Sequence, residues 1–380
     1  MTQEPQNAGA FAVSIGMDTG SYGWATLTLS LDGKSVEIAC SQEYPPFKNL
    51  LAWAKALDSG ELPAPLEINE ETGIKLISVQ PGSKPEAPTI QITGLPGEGR
   101  TFLKGPFQPK QAARALKQEL RRFLLEEFDP ERWEEREDNT DASATLSLKN
   151  RLLSDPWLAG SAREARLFQY SDVGELAEGL RRVSKLHLER AQVGGSPDFP
   201  PGIWGYLDAD AAEIVKPQYI YATDFKHGVA LVCKGKWEKA PFSVPCESPV
   251  SGAIYDAQGY ASKEELWGMI DRTGRAVIPC IYAGLYVSED GRYVVAERPG
   301  GEKNSSLVMD LSGKTVFEPE GRTLISYERD GLVTVCRGEY PEEELTGLYD
   351  LKTGKWLFDC LYEDISVRED GKIEVKNHKM

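Results

Sequence analysis

Between Ala25 and Cys40 apolar and polar residues alternate on both sides of Asp32-Gly33, as ATLTLSL and then KSVEIAC. A period of two interrupted by Asp-Gly predicts a β-hairpin with one buried face. Strands are accordingly expected over 24–31 and 35–41, with another over 11–15. Pro45-Pro46 breaks the alternation, and from Phe47 to Leu57 the apolar spacing lengthens. Leu50, Leu51, Ala54 and Leu57 then share one face of a helix. Extended segments follow at 73–80, 89–93 and 101–107, separated by the turn-rich stretches PGSKPEAP and LPGEGR. Pro109–Phe128 has the strongest helical pattern, with Ala112, Ala115, Leu116, Leu120, Phe123 and Leu124 as its buried stripe. Residues 1–10 read as disordered, and residues 1–128 as an α+β domain: an antiparallel sheet carrying helices.

The pattern changes after Phe128. Glu126–Asp141 holds nine acidic and two basic side chains and predicts an acidic connector. Residues 142–193 read as mainly helical, with Glu175, Glu178, Arg181, Arg182 and Lys185 interleaved with Leu176, Leu180, Val183, Leu186 and Leu188. Gly194-Gly195-Ser196-Pro197 and Pro200-Pro201-Gly202 close this segment, so it is assigned to 129–200.

From residue 201 the chain repeats itself. Two apolar runs flank an Asp-x-x-Gly-Lys/Arg-like turn at Asp208, Asp271, Asp310 and Asp350. The gaps between these aspartates are 63, 39 and 40 residues, so an insertion of roughly two dozen residues separates the first two copies. The aspartate accepts backbone N–H bonds and glycine supplies positive φ, which makes each copy a hairpin. Pro217, Pro279 and Pro319 stand where the second strand is expected to stop pairing. One such unit is too small to bury its own apolar face, so neighbours have to stack.

These residues resemble the bacterial WG repeat. The first copy carries Trp204, Gly205, Asp208, Pro217, Tyr219, Phe225, Gly228, Ala230 and Val232 of its pattern. The second carries Trp267, Gly268, Asp271, Gly274, Pro279 and Tyr282; the last two copies have lost the tryptophan. The resemblance implies a β-array over 201–380 and no activity. The N-terminal part resembles a type of small bacterial immunity protein. The likeness lies in its layout: Glu43-Tyr44-Pro45 after a hairpin, the Leu-rich helix to Leu57, and Glu70-Glu71-Thr72-Gly73 before a strand.

Charge narrows the partner. The net charge is −16, with 22 basic and 29 acidic side chains in 1–200 and 21 and 30 in 201–380. Spread acidity disfavours nucleic acid and anionic membrane and favours a basic protein. Apolar runs fall short of the 18 residues a spanning helix needs, and no signal segment is read at the start, so a cytoplasmic chain is expected. The six cysteines have no metal spacing and the three histidines, His187, His227 and His378, suggest no site. Gly94-x-x-Gly97-x-Gly99 lacks the Lys-Ser/Thr of a phosphate loop, and Glu70 and Glu71 read as solvated acids. No catalytic residue, metal or cofactor is assigned.

The expectation is therefore a non-enzymatic, immunity-type protein that occludes a toxin's active site, with a WG-repeat adaptor or scaffold as the alternative. Partner-binding candidates are Asp138, Asp141, Glu342, Glu343 and Glu344 on acidic loops, with Tyr219 and Tyr282 as aromatic anchors. Trp204, Gly205, Asp208, Trp267, Gly268, Asp271, Asp310 and Asp350 are assigned to the repeat framework, with both tryptophans buried.

Overall fold

A computed structural model describes residues 10–21, 23–82, 87–94, 100–133, 148–185, 202–247, 254–299, 305–321, 323–338 and 345–377, and the side chains of these except 130, 131 and 239–261. Most of the described chain is antiparallel β-sheet, and it divides into two compact units. One is Met1–Ser171 with Glu247–Tyr255; the other is Asp172–Cys246 with Asp256–Met380.

In the first unit, β1 (Phe11–Met17), β2 (Trp24–Leu31) and β3 (Lys34–Ser41) form a three-stranded meander. Asp32 and Gly33 both have positive φ, +49° and +76°, as the tight turn between right-twisting strands requires. Leu27, Leu29, Val36 and Ile38 fill the buried face. Helix α1 (Phe47–Ser59) follows and ends on Gly60 in the left-handed region. Then β4 (Ala64–Asn69), β5 (Ile74–Gln80), β6 (Thr89–Thr93) and β7 (Thr101–Pro106) form a second meander. Strand β4 was unread in the sequence because Pro63 and Pro65 interrupt it. It is an edge strand, where a proline nitrogen needs no ladder partner, and Ala64, Leu66 and Ile68 alternate inward.

Helix α2 (Pro109–Arg122) continues into a single π-helical turn, Phe123–Glu127. It guards the open edge of β1: Glu119 accepts the Ile15 N–H at 2.8 Å, Glu127 accepts the Met17 N–H at 2.8 Å, and Arg122 donates to the Ile15 carbonyl at 2.6 Å. Phe47, Phe123, Phe128 and Trp133 make the aromatic centre of the core, with ring centroids 5.2–6.5 Å apart among the contacting pairs. Short helices α3 (Pro130–Trp133), α4 (Leu148–Leu153) and α5 (Ala162–Leu167) follow; Leu148, Leu152 and Leu153 of α4 join the same core.

The helical expectation for 142–193 is corrected at 172–184. This segment is a hairpin of β8 (Asp172–Ala177) and β9 (Leu180–Ser184). Its turn, Glu178-Gly179, has φ of +50° and +88° at its two residues, which a helix cannot accommodate. Long-range pairing decides the outcome, because β9 pairs along its whole length with β10 (Trp204–Asp208).

The second unit is four consecutive meanders. The first is β8, β9, β10 and β11 (Glu213–Tyr219). The second is β12 (Tyr221–Ala222), β13 (Val229–Glu247), β14 (Ile254–Asp271) and β15 (Ala276–Tyr282). The third is β16 (Gly284–Val287), β17 (Tyr293–Glu297), β18 (Ser306–Asp310) and β19 (Thr315–Phe317). The fourth is β20 (Thr323–Arg329), β21 (Leu332–Arg337), β22 (Leu345–Asp350), β23 (Lys355–Val367) and β24 (Ile373–Asn377). The insertion lengthens one ribbon: β13 and β14 run 19 and 18 residues, where β17 and β18 run 5 each. Apolar clusters join each sheet to the next. Tyr206 and Trp204 pack with Phe225 and Val232; Met269 and Ile278 with Val294 and Leu307; Val295 and Val308 with Val333 and Val335.

Candidate functional site

Each aspartate of the repeat ends the third strand of its sheet and folds the turn into the fourth. Asp271 Oδ1 accepts the N–H groups of Thr273 (2.9 Å) and Arg275 (3.1 Å), and Asp310 Oδ1 those of Ser312 (2.9 Å) and Lys314 (3.1 Å). Asp208 and Asp350 do likewise at Asp210, Ala212 and Lys352. Hydrogen bonds from Thr273 and Ser312 are the largest cause holding the Asp271 and Asp310 carboxyls below the usual range. Gly274 and Gly313 have φ of +81°, and each backs onto the fourth strand of the preceding sheet. A Cβ on Gly274 would lie 2.6 Å from Val215 Cγ2, and one on Gly313 would lie 2.8 Å from the Val277 carbonyl oxygen.

The glycine of the Trp-Gly pair has a different cause. In the first sheet Trp204 pairs with Tyr219 but Tyr206 with Val215, so β11 bulges opposite Gly205. The bulge brings β11 backbone into the space a side chain would need: a Cβ on Gly205 would be 2.3 Å from the Val215 oxygen and 2.6 Å from the Pro217 nitrogen. Gly268 meets the Ile278 oxygen at 2.7 Å, and Gly347 the Cys360 nitrogen at 2.9 Å, in the same way. Pro217 and Pro279 therefore lie within these strands, in the bulge, and do not end them. The expectation that they stop pairing is corrected, since the strands run on to Tyr219 and Tyr282. Cys280 and Cys360 occupy the bulges; their thiols donate to the Val232 and Val335 carbonyls at 3.9 and 3.5 Å, and burial raises both thiol pKa values.

The third sheet departs from this design. Ser306 stands in the tryptophan position and Leu307 in the glycine position, three residues before Asp310. The Leu307 side chain is buried in the cluster of Met269, Val294 and Met309. The fourth strand, β19, is only three residues long, pairs only with Val308 and Met309, and does not return to Ser306. A cleft of about 430 Å³ lies there, lined by Arg298, Ser305, Ser306 and the turn Glu318-Pro319-Glu320-Gly321. Arg298 ion-pairs with Glu318, and this hydrogen bond raises the guanidinium pKa. Glu320 is exposed and has no ion pair among the described residues. Ser306 is 2 % exposed, and its Oγ lacks a hydrogen-bond partner among the described residues. So does Thr323 Oγ1 at the start of β20, a strand that packs against β18. A buried hydroxyl left unpaired costs on the order of 1–3 kcal/mol, so such a group calls for a reason.

Several assigned residues lie elsewhere than expected. Tyr219 is buried in the cluster between the first two sheets, and its reading as a surface anchor is corrected. Tyr282 packs against the next cluster, its hydroxyl 4.0 Å from Met309 Sδ. Trp204 is buried with the Arg182 guanidinium 4.6 Å from its ring centre, whereas Trp267 is half-buried and stacks on Tyr221 at 5.9 Å and 3°. The expectation of a fully buried Trp267 is corrected: in the second sheet Tyr221 shares the covering of the ring. Glu70, read as solvated, is 12 % exposed, accepts the Ala39 N–H at 3.0 Å and pairs with Lys75. His227 lies in the β12–β13 turn against Gly291, the equivalent turn of the next sheet. Asp138, Asp141, Glu342, Glu343, Glu344, His187, His378, Gly97, Gly99 and residues 1–9 lie outside the described residues. Among the described residues no three His, Cys, Asp or Glu side chains are grouped to share a metal ion, and no helix is long and apolar enough to cross a membrane.

The second unit is thus a stacked antiparallel β-repeat, four strands to each of the first three sheets and five to the last, with its signature on the third strand and its hairpin on the first two. Residues 204–236 and 267–297 match the family model of the WG containing repeat. Each matched stretch begins at a third strand and ends on the second strand of the next sheet, so the sequence unit straddles two structural ones. A search of curated proteins gave no match. Among solved structures, a chain titled as the eukaryotic initiation factor has 8% identity over 93% of this chain, with a TM-score of 0.28; this chain spans 63% of its length. The β-propeller domain of the Trilobed protease from Pyrococcus furiosus has 10% identity over 97% of this chain and 98% of its own, with a TM-score of 0.25. Prolyl oligopeptidase B from Galerina marginata has 11% identity over 97% of this chain and 54% of its own, with a TM-score of 0.22. Likeness this slight carries no argument.

Proposed function

We propose that this chain is a non-enzymatic recognition protein whose repeat array holds a basic protein partner. The observation that carries this reading is a row of exposed aliphatic side chains on successive fourth strands: Ile214 of β11, Ile281 of β15, Val316 of β19, and Leu357 and Leu361 of β23. Single exposed apolar residues need no explanation, but their recurrence on the fourth strand of all four sheets of the array is the reason for reading an apolar strip there. The chain's net charge of −16 favours a cationic partner around that strip.

In its finer form, the reading is a cytoplasmic immunity protein of bacterial type, with an α+β N-terminal unit, that neutralises a toxin by covering its active site. The layout of Glu43-Tyr44-Pro45, the α1 helix and Glu70-Glu71-Thr72-Gly73 motivates it. The test is affinity capture from a lysate of the source organism, comparing wild type with an Ile281→Asp/Leu361→Asp double variant. The expected result is one basic protein retained stoichiometrically by wild type, lost by the variant, and inactive as a toxin when bound. Equal capture by both proteins would remove the strip from the interface. An acidic captured protein would overturn the electrostatic part, and a captured protein without toxicity would leave an adaptor.

A further inference from the structure

The end of β23 and the whole of β24 repeat the first hairpin of the fourth sheet forty residues on. Ile325 pairs with Val335, Ser326 with Thr334 and Tyr327 with Val333; Ile365 pairs with Val375, Ser366 with Glu374 and Val367 with Ile373. The second strand of the earlier hairpin, β21, gives its other edge to β22 over Leu332–Arg337. The corresponding edge of β24 carries no strand among the described residues. The turn fixes which backbone groups that edge presents. The Arg368 N–H donates to the Lys372 carbonyl and the Gly371 N–H to the Arg368 carbonyl, both at 2.9 Å. Bonded pairs then alternate along the hairpin, so Glu374 and Lys376 bond to β23, while Ile373, Val375 and Asn377 turn their N–H and C=O groups outward. Val335 is fully buried, whereas Val375 is 37 % exposed, and Glu374 and Lys376 beside it are exposed. An open edge of this kind is a template for another strand.

We propose that β24 is a homodimer interface, in which the strand pairs antiparallel with β24 of a second copy about a two-fold axis at Val375. The charges of the strand select that partner and that register. With Val375 opposite the partner's Val375, Glu374 lies opposite the partner's Lys376 and Lys376 opposite the partner's Glu374. Opposite charges at facing positions stabilise a strand pair. A slip by one bonded pair in either direction sets Glu374 against Glu374 or Lys376 against Lys376, and facing like charges oppose it. Both side chains already pair within the hairpin, Glu374 with Arg368 and Lys376 with Glu363. These pairs are exposed and contribute little, so they leave the charges available to a second copy. The proposal goes beyond recognition of a protein partner and does not depend on it. A five-residue strand pair is small beside the roughly 1,200 Å² of a stable interface, so the dimer is expected only at high concentration.

The experiment is sedimentation velocity of the full chain over a concentration series from about 5 to about 500 µM, where small interfaces assemble. Wild type is expected to pass from monomer to dimer across it. Glu374→Lys and Lys376→Glu each set like charges opposite one another at both facing positions, and each is expected to weaken association about tenfold. An equimolar mixture of these two variants is expected to recover it, because the two lysines of one copy then face the two glutamates of the other. Substitutions that only disturbed the hairpin would show no such recovery. Val375→Pro, which removes an outward N–H and no bond to β23, is expected to leave a monomer. A wild type that stays monomeric throughout, a dimer indifferent to all three substitutions, or a mixture as weak as its components would each overturn the interface.

Discussion

The first and third sheets of the array share one plan of strands and part company at the start of the third strand. Where the first has Trp204-Gly205, the third has Ser306-Leu307. In the first, the glycine lets seven-residue β11 bulge past it and the tryptophan closes the end of the sheet. In the third, β19 stops after three residues and a cleft remains. The glycine and the tryptophan are separable: in the fourth sheet Gly347 admits the same bulge beside Thr346, so the bulge needs the glycine and not the ring. Losing both at once is structurally coherent, because Leu307 takes a buried place of its own among Met269, Val294 and Met309.

The comparison can be broken most decisively at the ring. Trp204→Ala is expected to cost about 3–5 kcal/mol in denaturant melts, as a fully buried aromatic should. Half-buried Trp267→Ala is expected to cost clearly less, and equal costs would show that exposure is not what separates the two. Next in size is Gly205→Ala, expected to cost about 1–3 kcal/mol because its Cβ meets β11 backbone that cannot rotate away. A cost near zero would mean that the bulge does not depend on glycine.

Removing a turn carboxylate tests what the two sheets share. Asp310→Ala is expected to cost about 1 kcal/mol, and Asp271→Ala the same. Both carboxyls have folded-state pKa values below their ordinary ones. Their contribution is thus complete above the unfolded carboxyl value near 4 and is lost as pH falls below it through the depressed folded values. Melts of wild type and Asp310→Ala should converge at low pH; a gap that stays constant down to pH 2 would contradict the turn's charge dependence. The smallest effect carries the opposite sign. Ser306→Ala removes an unpaired buried hydroxyl and is expected to raise stability by up to about 1 kcal/mol. A loss of stability would mean that the hydroxyl is paired in the free protein.

Much of this was legible in the chain. Asp32-Gly33 marked its hairpin, and the four aspartates marked the turns between third and fourth strands, because both depend on local chemistry alone. Strand β4 was hidden by its prolines, and β8–β9 by leucines whose spacing suits helix as well as strand until β10 supplies a pairing edge. Bulges exist only between strands, so in the sequence alone Pro217 and Pro279 read as strand ends. Tyr219 looked like an anchor because sequence does not say which sheet covers a ring. The cleft left one sign, the missing Trp-Gly of the third copy, but reading space from a substitution needs the partner strand.

In the second unit every strand pairs with its immediate neighbour along the chain. Such a topology has low contact order within each sheet, so a sheet can form as soon as its own strands are available. Cooperativity between sheets then depends on how each seats on the one before. Gly274 and Gly313 press their turns against the preceding fourth strand, whereas a Cβ on Gly354 would come no closer than 3.7 Å to any neighbour, and that neighbour is Tyr349 of its own sheet. At the last joint side chains take the place of that backbone contact: Phe317 stacks on Tyr349 at 3.9 Å, and the Tyr327 hydroxyl donates to Asp290 at 2.8 Å. The fourth sheet is thus seated by its rings, where the second and third are seated by their turn glycines.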